Sequence, residues 1–134
     1  MTMPGPAHQP TADDFLRMAE AAFASIPDEL RRHVAGVGIV VEDLAGPELI
    51  ARMGLPDPWR LLGVYQGVPL TRRSVNMIPT LPDRIALFRL PILRQWQIRG
   101  GALDDLVRHV LVHEIGHHFG FSDDDMAAID RSPD

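Results

Sequence analysis

Three residues stand at the spacing needed to hold a metal ion and put it to use: His113, Glu114 and His117, in the run His113-Glu114-Ile115-Gly116-His117. On a helix, positions four apart lie one turn above the other on the same face. Two imidazoles at 113 and 117 can therefore grip one ion. Glu114 is rotated to the flank of that pair, where it can reach a water on the metal without having to ligate. This is the H-E-x-x-H arrangement, suited to metal-assisted hydrolysis. After His117 the chain runs His118-Phe119-Gly120-Phe121-Ser122-Asp123. Gly120 can take a positive φ and turn the backbone sharply, which brings Asp123 back towards the metal. Two imidazoles and one carboxylate leave a fourth position for water, the open geometry of a catalytic site.

Other residues compete for the third position. His118 points to the far side of the helix from His117 and reads as a residue behind the ligands or in the core. Asp124 and Asp125 suit the first turn of a following helix. Asp123 is the favoured ligand. His109, one turn before His113, reads as a histidine packed beside the site with a backbone partner, in preference to a substrate-side donor. Met126 reads as a hydrophobic floor or an ordinary core methionine.

A solvated helix can carry such residues without function, but this one is apolar nearly all round. Val107, Leu111 and Ile115 form one stripe, Leu106 and Val110 lie on the side of His113 and His117, and Val112 and Phe119 flank it. A helix of that kind is buried. Imidazoles and a carboxylate buried without partners are costly, and a metal removes the cost.

Composition narrows the chemistry. There is no cysteine in the 134 residues, which excludes disulfides, Fe–S clusters and thiolate zinc sites. Any metal rests on His, Asp or Glu. Mixed His/Asp ligation suits zinc best, although iron and nickel accept it. Asp and Glu number 18 against 13 Lys and Arg, for a net charge of -5. That balance argues against nucleic acid as a partner, because such binding needs basic surface to displace counterions. No apolar run reaches the ~18 residues of a membrane span. The start, MTMPGPAHQP, has no secretory pattern, so the expected compartment is the cytoplasm.

The elements that must position these residues are legible in outline. Residues 1–10 read as a flexible tail and 11–134 as a single domain. Thr11 suits an N-cap, with Asp13 and Asp14 in the first turn. Phe15, Met18, Ala19, Ala22 and Phe23 recur at helical spacing, which predicts an amphipathic helix over 12–25 that Pro27 ends. Residues 37–41 (VGIVV) predict a central strand, 46–53 a short helix with Pro47 in its first turn, 61–67 a strand, 69–83 a long surface loop and 84–90 a third strand. Pro91 can open a helical turn through Gln95. Residues 102–119 form the longest helix, stopped at Gly120, and 123–130 a last short one. The pattern predicts an α+β fold, with one small sheet packed on the active-site helix and the N-terminal helix.

At the motif the sequence resembles a known group. HEIGHHFGFSD (113–123) has the extended H-E-x-x-H-x-x-G-x-x-[H/D] form of the metzincin branch of zinc metallopeptidases, with Asp123 in place of the usual third histidine. More closely, the chain resembles the small bacterial zincin-like metallopeptidase family, through GVYQGVPLTRRS (63–74), LPDRIALFRLPIL (81–93) and VRHVLVHEIGHHFGFSDDDM (107–126). The resemblance implies a minimal zincin-like fold: a small mixed sheet, an active-site helix and no separate lower subdomain. It also implies a zinc-dependent peptidase. Zinc held by His113, His117 and Asp123 would lower the pKa of a bound water. Glu114 would take its proton as the general base and return it to the leaving amine of a peptide or protein substrate.

Tyr65, Arg84 and Arg89 are candidate oxyanion donors, each with a structural role as its alternative. A strand near 84–90 could pair with an extended peptide at a sheet edge. Two other functions fit the same residues. One is a non-catalytic zinc-bearing domain that binds a peptide or partner. The other is a metal-dependent endoribonuclease with H-x3-H-x5-H spacing, disfavoured by Glu114 and by the acidic balance.

Overall fold

The computed structural model describes residues 9–34, 36–66 and 83–120, together with 124 and 126. Helix α1 (Ala12–Ser25) starts where the sequence marks it. The Thr11 hydroxyl accepts the Asp14 N–H at 3.1 Å, and the Asp14 carboxylate accepts the Thr11 N–H at 2.8 Å, a reciprocal capping box. Phe15, Ala19 and Ala22 form its buried face. The helix stops at Ser25 because Ile26, preceding Pro27, is extended. A short helix α2 (Asp28–Arg31) and a 3-10 turn (Arg32–Val34) follow.

Strands β1 (Gly38–Glu42), β2 (Gly63–Gln66) and β3 (Arg84–Phe88) form a mixed sheet in the order β1-β3-β2, with β1 parallel and β2 antiparallel to β3. The first β-branched run is therefore an outer strand among the described residues, not the central one. Its residues are only partly buried or exposed, whereas β3 is buried on both faces. Ile85 and Leu87 pack with α1 and the long helix, while Ala86 and Phe88 pack with Ala45, Ile50, Leu61 and Val64 on the other side. A strand enclosed on two faces and two edges has no edge to offer a peptide, which removes 84–90 as a docking strand. A run of β-branched residues marks a strand, not its place in the sheet.

Helix α3 (Pro47–Met53) matches the expected helix, and a 3-10 turn covers Pro58–Arg60. The third strand ends at Phe88, and helix α4 (Arg89–Arg99) runs four residues beyond the expected stop at Gln95. Pro91 lies in its first turn, where a missing N–H costs nothing. Helix α5 (Leu103–Phe119) is the long one, and Gly120 ends it in the left-handed conformation at φ 73° and ψ 28°. Val107, Leu111 and Ile115 bury it against α1 and the sheet. Buried Arg108 donates to the Ser25 hydroxyl at the end of α1. The result is a small α+β fold with a mixed sheet, as the residue pattern and the family resemblance imply. Among the described residues no helix is long and apolar enough to cross a membrane. Most of the expected tail, the loop over 69–83 except Asp83, and the last helix except Asp124 and Met126 (both helical) lie outside the described residues.

Candidate metal centre

His113, Glu114 and His117 sit in the last turns of α5. His113 is half-buried and His117 exposed. The helix is thus not enclosed all round: its histidine stripe opens to solvent while Val107, Leu111 and Ile115 face inward. The rings of His113 and His117 lie 6.2 Å apart and nearly perpendicular, at 81°. His113 Nδ1 is 2.9 Å from the carbonyl oxygen of His109, one turn back. A carbonyl can only accept, so Nδ1 carries the proton and Nε2 keeps its lone pair for a metal. The His109 ring itself packs 4.0 Å from that of His113.

Glu114 occupies a drier place beneath β2. The ladder explains the contact it makes there. Phe88 N–H donates to the Leu62 carbonyl at 2.9 Å, so in the antiparallel register the backbones of Val64 and Gln66 face β3. Those of Gly63 and Tyr65 face outward. The Tyr65 N–H donates to the Glu114 carboxylate, which favours the charged form. Burial outweighs this and pushes the Glu114 carboxyl up to about 7. β2 approaches α5 closely, since a Cβ on Gly63 would lie 2.9 Å from Val110 Cγ1.

The surrounding residues resolve several expectations. The Tyr65 ring stacks on His118 at 3.7 Å and 12°, with Phe119 edge-on to both. The Tyr65 hydroxyl meets Asp83 at 3.3 Å. Arg84 donates to Gln66 at 2.7 Å, and Arg89 to Asp43 at 2.8 Å. These three side chains are thus engaged in structural contacts. His118 packs against β2 behind the metal-facing side, as its helical position implies. Met126 is 1% exposed, and its sulfur lies against Gly116, where any Cβ would collide with it. It is the floor beneath the turn that joins His113 to His117.

The donors described fit zinc in kind: two imidazoles on one helical stripe, one with its ring oriented by a backbone carbonyl. Among the described residues no group of three or more His, Asp or Glu forms a complete ligand set. Asp123, the expected third ligand, lies outside the described residues, as does Asp125, and Asp124 is exposed. Residue spacing gives no sign of the Tyr65 N–H contact, because it joins groups 49 positions apart through the sheet register. The His109 carbonyl follows from helix geometry alone, and the glycine at 116 is the local trace of the Met126 floor.

A model of the zincin-like metallopeptidase family matches residues 34–132. That span takes in all three strands and the whole of α5. The chain belongs to this family. No curated protein matches the chain.

Proposed function

We propose that the protein is a zinc-dependent peptidase in which His113, His117 and Asp123 hold the metal and Glu114 is the general base. One observation carries the proposal: a carboxyl with a pKa raised to about 7 lies beside a histidine pair whose inner ring is already oriented. A base of that strength is matched to proton transfer at neutral pH. Bound zinc supplies Lewis acidity, acidifying water and polarising a carbonyl.

The chain's own residues do the rest. The His109 carbonyl fixes the His113 ring, and Met126 supports the turn. Glu114 accepts the proton of the attacking water and delivers it to the departing amine. Family membership supports the peptidase class, and the acidic balance weighs against RNA. The test is a peptide-library cleavage screen with zinc-loaded protein and Glu114→Ala. The variant should keep about one zinc per chain and lose roughly 10²- to 10⁴-fold in turnover. Retained turnover overturns the role of Glu114. Peptide binding without cleavage by the native protein points to the non-catalytic zinc-bearing domain.

A further inference from the structure

We propose that Tyr65 is a positioning residue for Glu114, acting through its main-chain N–H and held in place by the stack of its ring on His118. The inference deepens the proposed function and rests on Glu114 being the base.

The phenol of the sole tyrosine invites a role as a donor to substrate, but its hydroxyl is directed at Asp83. What reaches the site is the backbone. The ladder points the Tyr65 N–H away from β3, towards the carboxylate on α5. The same residue's ring lies flat on His118, the neighbour of His117, with Phe119 closing the edge. One residue of an outer strand thus touches α5 at two points, on the base and just past the second histidine. The flat stack resists sliding of Tyr65 along the helix and keeps its N–H on one oxygen of Glu114. The other oxygen is then aimed by the helix alone. A misplacement of about 1 Å in such a group costs on the order of a hundredfold in rate.

The test has one arm without catalysis and one with it. In zinc-loaded protein, amide hydrogen exchange at Tyr65 is followed by NMR. It should be roughly tenfold slower than in Glu114→Ala, and should quicken in His118→Ala, with zinc content unchanged in both. Glu114→Gln, which keeps an acceptor oxygen and guards against a folding defect in the alanine variant, should retain part of the protection. Equal exchange at Tyr65 in all four proteins overturns the proposal, whatever the protein cleaves.

In the second arm, one peptide from the cleavage screen is used. Tyr65→Leu and His118→Ala should each lower kcat by roughly tenfold with KM little changed. The double variant should be no worse than either alone, and Tyr65→Phe or His118→Phe should restore kcat. Additive losses, or losses confined to KM, overturn it. Failure to find any cleaved peptide removes the peptidase function while the exchange arm still decides whether Tyr65 holds Glu114.

Discussion

His113 and His109 are joined by a side-chain hydrogen bond in which the ring N–H of the first donates to the main-chain carbonyl of the second at 2.9 Å. The orienting group for the proposed metal ligand is thus part of the helix itself and cannot be removed by side-chain mutation. His113→Ala and His117→Ala should both abolish zinc binding, but their effects on the metal-free fold should differ. His117 is exposed, so its loss should stay within about 0.5 kcal/mol. His113 is half-buried and bonded, so its loss should cost about 1 kcal/mol more. Elemental analysis and urea unfolding check the two halves of this expectation.

The third ligand is tested by comparison. Asp123→Ala should weaken zinc binding by more than the roughly 100-fold that loss of an outer hydrogen-bond partner costs. Asp124→Ala should leave it unchanged, since Asp124 belongs to the helical stretch that follows the turn. Competition with a fluorescent zinc chelator measures both. Equal losses would remove Asp123 as the ligand.

Glu114 links stability to pH in the metal-free protein. Its carboxyl rises from an ordinary 4.5 to about 7 on folding, through burial. Between those values the folded protein keeps a proton that the unfolded chain has released. The contribution of Glu114 to stability is therefore complete below about 4.5 and is lost as pH rises through about 7, by on the order of 3 kcal/mol. Glu114→Gln should flatten that slope. Urea midpoints across this pH range, with a chelator present, give the measurement.

Gly116 and Met126 should behave as one unit. Gly116→Ala drives a methyl into the Met126 sulfur and should cost about 1–3 kcal/mol. Met126→Ala should cost about 2–5 kcal/mol through the cavity it opens. The double variant should fall well short of the sum, because the new methyl fills part of that cavity. Chemical denaturation of the four proteins closes the cycle, and a strictly additive result would separate the two residues.

What was legible in the sequence was what is local. The N-cap at Thr11, the glycine stop at 120 and the histidine pair of α5 each depend on residues within a turn of one another, and each is found where expected. The order of the strands is not local. VGIVV is richer in strand formers than RIALF, and only the packing of Ala86 and Phe88 against Ala45 and Ile50 shows that the second is the enclosed one. The same holds for Tyr65, whose backbone direction is set by its pairing with β3. The extent of α4 escaped for another reason: proline at 91 looks like a brief opening, yet sits harmlessly in a first turn.

The two imidazoles and the carbonyl that orients one of them all belong to α5, within a stretch of nine residues, whereas the dryness around Glu114 comes from β2. Placing the imidazoles and drying the carboxylate are therefore separate achievements of folding. A partly assembled chain in which α5 has formed but the sheet has not would already present both imidazoles on one stripe, while its carboxylate would still be an ordinary acid in water.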